Sequence, residues 1–285
     1  AGLSGNTVQG NFIGTGPSGT NDLGNGDIGV DINSAVNTIV GGITPGAPNV
    51  IAFNARSGVR VSQSTGNATA GSGNSIRGNS IFSNGVSGAG LGIDIGNDGV
   101  VTPNDPADTD TGSNNLQNFP IIDVVADPSA AFLDRDARFP AVEFEQQPSR
   151  QTNRAKLKTN GPKTLLGVRE STNDPSANPE FAQFLPAAQI SAASQQQLAN
   201  VSKSVQGTLN STPSTTFAID FYVNPGCDPS GFGEGKTYIG SANVTTDANG
   251  DASFNVNVTF DAALGTSITA TATDPGGNTS EFSQC

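Results

Sequence analysis

The stretch that decides the fold is GNTVQGNFIG at Gly5–Gly14. It is restated as VNTIVGG…PNVIAF between Val36 and Phe53, and again as GNSIRGNSIFSN at Gly73–Asn84. A short prefix stands before the later copies: IGVDI at Ile28–Ile32, SGVRV at Ser57–Val61, and once more LGIDI at Leu91–Ile95. Superposing the copies gives columns of one residue type. Asn6, Asn37 and Asn74 share one, Val8, Ile39 and Ile76 another, then Asn11, Asn49 and Asn79, and Ile13, Ile51 and Ile81. The prefixes add Val30, Val59 and Ile93, then Ile32, Val61 and Ile95. A period of about 30 residues with three short strands in each turn predicts a parallel solenoid, in which like residues stack one rung apart, ~4.8 Å. Asn suits the corners because it tolerates left-handed backbone and bonds along the stack. A helical solenoid is excluded, because Gly and Asn at this density destabilise helices.

The bulk composition agrees. Of 285 residues, 36 are Gly, aromatics make up 6% and charged residues 13%. The apolar residues are mostly Val, Ile and Phe set in alternation, the pattern of many short strands joined by tight turns. The net charge of −12 repels nucleic acid and anionic membrane surfaces, and no basic face is visible in the repeats. No apolar run approaches the ~20 residues of a membrane span. The chain opens at Ala1, part-way into a repeat, and contains no Met, which reads as a piece of a longer secreted precursor. Its two cysteines, Cys227 and Cys285, lie 58 residues apart and are expected to form a disulfide worth about 4 kcal/mol.

From Val205 onward the period is two. Phe217, Ile219, Phe221 and Val223 point one way and Ala218, Asp220 and Tyr222 the other. Phe254, Val256, Val258 and Phe260 repeat the pattern after the turn at Asp247–Asp251, and Ile268, Ala270 and Ala272 follow. Several such strands predict an immunoglobulin-like sandwich.

The phrases GNTVQGNFIG, NTIVGG and NSIRGNSIFSNGVSGAGLGIDIGNDG resemble large secreted bacterial proteins built from right-handed parallel β-helix repeats. In that family the array commonly finishes with an Asn/Asp-rich stretch and an immunoglobulin-like module. Here Ile95–Ile121, Gly207–Ser241 and the closing TATDPGGNTSEFSQC match that finish. The resemblance implies architecture and an extracellular or cell-surface setting, and it implies no single activity. The expected fold is all-β: a short right-handed parallel β-helix over residues 1–125, an irregular insertion over 126–204 and an immunoglobulin-like sandwich over 205–285. The insertion carries nine of the thirteen Lys and Arg. Within it FPAVEFEQ (Phe139–Gln146) reads as a strand and PAAQISAASQQQLANV (Pro186–Val201) as a weak helix. It is either a long surface excursion or a contact arm.

Three features bear on chemistry. First, the chain contains no His, which removes the usual metal ligand and general base. Among β-helix enzymes, galacturonan hydrolases resemble one another in a Gly-His-Gly motif and uronate epimerases in an Asp-Pro-His-Glu motif. Pectate-lyase-like enzymes use Ca²⁺-binding carboxylates with an Arg or Lys base. Second, the middle residues of the prefixes, Asp31, Arg60 and Asp94, stack in an outward column. This is a salt-bridge ladder between rungs, or alternatively the site of a polysaccharide lyase or a glycan grip. Third, Asp98, Asp105, Asp108 and Asp110 either offer oxygen ligands for Ca²⁺, with a spacing that is not that of an EF-hand, or belong to an Asx-turn-rich loop that caps the solenoid.

Functionally, the sequence predicts a non-enzymatic structural or adhesive protein, the subunit of a surface fibre. Its expected partners are copies of itself, arranged head to tail, or cell-surface glycans. The enzyme alternative is the lyase on the Asp31/Arg60/Asp94 face.

Overall fold

The computed structural model describes residues 3–63, 71–86, 90–96, 98–128 and 200–285. Its N-terminal part is a coil of three rungs. The first is made of β1 (Thr7–Val8), β2 (Phe12–Ile13) and β3 (Val30–Asn33). The second comprises β4 (Ile39–Gly41), β5 (Val50–Ala52) and β6 (Val59–Ser62), and the third β7 (Ser75–Arg77), β8 (Ser80–Phe82) and β9 (Ile93–Ile95). Three parallel sheets result, ordered β1-β4-β7, β2-β5-β8 and β3-β6-β9. Val40, Ile51, Val59, Val61, Ile76, Ile81, Ile93 and Ile95 fill the interior.

The expected columns hold on two of the three sides, where Ile13, Ile51 and Ile81, then Val30, Val59 and Ile93, pair in register. The third side is displaced by one residue. Val8 pairs with Val40 and Val40 with Ile76, which leaves Ile39 44% exposed. Asn37 is the cause. It adopts φ 55° and fills the left-handed corner that Gly5 (φ 71°) and Gly73 (φ 71°) occupy in the other rungs. Thr38, not Asn37, therefore stands level with Asn74. A slip of one residue moves every side chain to the opposite face, so Val40 goes in and Ile39 comes out.

Asn side chains tie the rungs together in one direction. Each Oδ1 accepts the main-chain N–H of the rung before it, as from Asn11 N to Asn49 and from Asn49 N to Asn79, at 2.9 and 3.0 Å. A parallel run links Asn25 to Asn54 and Asn54 to Asn84. The Asn49 amide also donates to Val8 O and to Asn79 Oδ1, so a fully buried polar side chain is satisfied on both sides.

The rest of the described chain forms two antiparallel sheets. β10 (Ile121–Ala126), β11 (Asn200–Asn210) and β14 (Asp251–Asp261) make one; β13 (Thr237–Thr245), β12 (Thr216–Asn224) and β15 (Ser267–Thr273) make the other. This is the A-B-E and C′-C-F order of an immunoglobulin-like sandwich. The closing stretch runs antiparallel to β15 in the place of strand G. Val205, Phe217, Ile219, Phe221, Phe254 and Val258 are among its core. The expected boundaries at 125/126 and 204/205 fall inside strands. Ile121–Ala126 pairs with β11, so the A strand comes from the stretch assigned to the coil, and β11 begins within the presumed insertion. The strand and helix expected at Phe139–Gln146 and Pro186–Val201 lie outside the described residues, apart from the last two positions of the latter, which are strand. Cys227 and Cys285 are bonded, with Cα atoms 5.7 Å apart.

Coil and sandwich belong to one compact unit and share a core. Tyr222 and Phe282 are buried in the coil's cluster, their rings 5.3 Å apart edge to face. The outer face of the β12–β15 sheet thus covers the third rung. Arg77 of the coil forks onto Asp220 of β12 at 2.8 and 2.7 Å, and Asp220 is fully buried.

Removing either tie will be costly. Arg77→Ala strands a buried carboxylate and is expected to destabilise by about 3–5 kcal/mol. Asn49→Ala breaks the ladder on both sides and should cost about 3 kcal/mol. Urea unfolding monitored by circular dichroism measures both.

Candidate functional site

Strand register places Asp31, Arg60 and Asp94 side by side, as expected. Arg60 closes a two-pronged fork on Asp31, with Nε–Oδ1 at 3.1 Å and Nη2–Oδ2 at 2.7 Å. Asp31, with the charges of Asp27 and Asp94 in support, raises the Arg60 pKa further above its already high value. Asp94 departs from the expectation of an outward, open residue. It is only 4% exposed and accepts from the Ser57 hydroxyl at 3.1 Å. A cavity of about 190 Å³ beside it is bordered by Arg56, Ser57, Arg60, Asp94, Asp98 and Gly99. An arginine held in such a fork is a fixed cation with both prongs spoken for, which is the work of an inter-rung ladder.

The acidic loop divides. Ligand oxygens of Asp105, Asp108 and Asp110 lie within 4.8 Å of one another. Asp98 is not of this group and belongs to the cavity beside Arg60 instead. Left-handed Ala107 (φ 61°) and Asp108 (φ 55°) bend the chain so that Asp105 and Asp108 face inward. Asp105 Oδ2 accepts from Thr109 N and Oγ1, while Asp108 accepts from Asn118 N and the Ser211 hydroxyl. Burial pushes the Asp108 carboxyl up to about 6, partly opposed by Ser211 and Asn118 and reinforced by the charges of Asp110 and Asp105. Burial and Asp105 raise Asp110 as well. Among the described residues, Asp105 Oδ1 and Asp110 Oδ1 are buried with no hydrogen-bond partner.

Hard oxygens converging with two of them unsatisfied are the ligand type that Ca²⁺ takes. The same loop is stitched to the sandwich. Ala107 N donates to Asn210 Oδ1 and Asn118 Nδ2 to Asn210 O, beside the Ser211–Asp108 bond.

Two carboxylates that sequence reasoning passed over sit where the sandwich meets the coil. Glu281 Oε1 accepts from Ile95 N and Oε2 from Thr102 N, both at 2.8 Å. Glu234 Oε1 accepts from the main-chain N and side-chain Nδ2 of Asn84, both at 2.9 Å. Glu234 thereby takes the place of the next residue in the Asn25–Asn54–Asn84 ladder. Its flanking glycines were the available signal. A Cβ on Gly235 would meet the rings of Phe282 and Tyr222, and one on Gly233 would meet Thr269. A G-E-G run of this kind marks close backbone approach. Beside Glu234 opens a cleft of about 700 Å³, with Asp228, Lys236 and the Cys227–Cys285 disulfide in its walls.

The chain matches no protein-family model and no curated protein.

Relief of like-charge repulsion predicts that millimolar Ca²⁺ raises the melting temperature by several degrees and that Asp105→Ala removes the rise. Differential scanning calorimetry with and without a chelator is the check.

Proposed function

We propose that this is an extracellular structural or adhesive protein of a bacterial surface, associating with copies of itself into a fibre, with Ca²⁺ on the Asp105/Asp108/Asp110 loop stiffening the subunit. The observation that supports the reading is the polarity of the coil: the sandwich seals the third rung, and each Asn Oδ1 of the ladders receives from the rung before it. A polar stack makes head-to-tail contact heterologous, and heterologous contacts that do not close build filaments. The disulfide accords with an extracellular setting, and among the described residues no helix is long and apolar enough to cross a membrane.

What favours this over a polysaccharide lyase is the state of Arg60. A catalytic base has to be available to substrate, and here both prongs are committed to Asp31 while Asp94 is covered.

Sedimentation velocity and negative-stain imaging over a range of protein concentrations are expected to show growing linear assemblies. Monodisperse monomers at the highest concentration would contradict the proposal. Incubation with acidic polysaccharides and Ca²⁺ should release no unsaturated sugar absorbing in the ultraviolet. Release that Arg60→Ala abolishes would establish the lyase instead.

A further inference from the structure

An asparagine followed by glycine loses its side-chain amide in water more readily than other asparagines, because glycine has no side chain to hinder attack by its own nitrogen. Three such pairs fall among the described residues, Asn25–Gly26, Asn84–Gly85 and Asn249–Gly250, and a fourth, Asn160–Gly161, lies outside them. The fold treats the three differently. Gly85 N donates to Asn54 O at 3.0 Å and to Arg56 O at 2.8 Å, while Asn84 Nδ2 is shared among Ile51 O, Phe82 O and Glu234 Oε1. Gly250 is buried and its N donates to Asp247 O at 3.1 Å. Gly26 N has no hydrogen-bond partner among the described residues, and Asn25, Gly26 and Asp27 are all exposed.

The demand for glycine differs as well. Gly85 (φ 74°) and Gly250 (φ 90°) are left-handed, and a Cβ on them would run into Gly90 O and Ser211 O. At Gly26 a Cβ would meet nothing within 4 Å, and the backbone is not left-handed. The fold therefore needs no glycine at this position. Asn25 itself does structural work. Its N and Nδ2 both donate to Asn54 Oδ1, at 3.2 and 2.9 Å, and its carbonyl accepts from Ala55 N at 2.9 Å. Two residues on, Asp27 O accepts from Arg56 N at 3.1 Å, so this corner fastens the first rung to the second.

We propose that Asn25–Gly26 is a site of spontaneous deamidation, a slow chemical clock set into the corner that joins the first two rungs. Gly26 N gives its proton to hydroxide and attacks Asn25 Cγ. The new N–Cγ bond closes a five-membered imide, and the Cγ–Nδ2 bond breaks as ammonia leaves with a proton from water. A second water then opens the ring at either carbonyl. The net change is one water consumed and one ammonia released, leaving aspartate or isoaspartate. Either product has a carboxylate where Nδ2 donated to Asn54 Oδ1, and the added negative charge stands beside Asp27. In the isoaspartyl form the chain also gains one carbon, and the carbonyl that received Ala55 N becomes the free carboxylate. The bonds from Ala55 and Arg56 then lose their register, and the corner loosens.

The test is prolonged incubation of the full chain near pH ~8.5 followed by peptide mapping, each event adding about one dalton. Asn25 is expected to convert at least ~10-fold faster than Asn84 or Asn249 in the folded protein, and the three should converge to within ~3-fold in urea. Gly26→Ala, which the open space tolerates, should slow conversion at Asn25 by ~10-fold or more without lowering the melting temperature. In the converted protein, amide exchange at Ala55 and Arg56 should rise by ~10-fold. Conversion at Asn25 no faster than at the other two would overturn the proposal, as would the same ranking in urea as in the folded state. An unaltered rate in Gly26→Ala would do likewise, and unchanged exchange at Ala55 and Arg56 would overturn the loosening of the corner.

Discussion

A parallel coil cannot end without leaving a row of main-chain N–H groups in want of acceptors, and burying even one unsatisfied costs about 1–3 kcal/mol. In this molecule the whole C-terminal half answers that constraint. The sandwich brings Tyr222, Glu234, Thr279 and Glu281 to the third rung at bonding distance, and Phe282 fills the apolar end of the bore. From Asp220 onward the face of β12 that alternation turns away from the sandwich core is accordingly buried too, and Asp220 and Tyr222 belong to the joint. The disulfide secures the segment that carries three of these groups by tying its final residue to Cys227.

Sealing one end polarises the coil. Each Asn Oδ1 in the ladders receives from the rung before it, so the stack has a direction as well as two unlike ends. A stack with a direction would suit the proposed subunit that adds in one orientation. The acidic loop joins the same scheme, since Asp108 and Asn118 lash it to Asn210 and Ser211 at one tip of the sandwich. An ion there would fasten coil cap and sandwich at a second place, apart from the third rung.

Much of this is legible in the residues. Columns of Ile and Val, the Asn corners, the two-residue alternation and the cysteine pair all rest on periodicity, which side-chain packing enforces strictly. What escaped the sequence has specific causes. The slip at Ile39 arises because Asn37 does the backbone work of Gly5 and Gly73, and residue type alone does not distinguish a corner Asn from a ladder Asn. Ile121–Ala126 belongs to the sandwich because it pairs with β11 across a long interval of chain, and such non-local pairing leaves no local mark. Asp98 and Asp110 look alike in an Asp-rich loop, yet one lies against the Arg60 cavity and the other in the carboxylate triad. Glu234 and Glu281 read as ordinary surface acids, since their roles exist only once the coil lies against them.

The central claim is that coil and sandwich are one cooperative structure, because the end of one is completed by side chains of the other. Equilibrium urea unfolding followed in parallel by tyrosine emission, which reports the joint, and by far-ultraviolet circular dichroism, which reports all the strands, tests it most directly. Coincident single transitions are predicted. Loss of the tyrosine signal well before the strands unfold, or two separated transitions in circular dichroism, would show two independent domains in mere contact and would contradict the account.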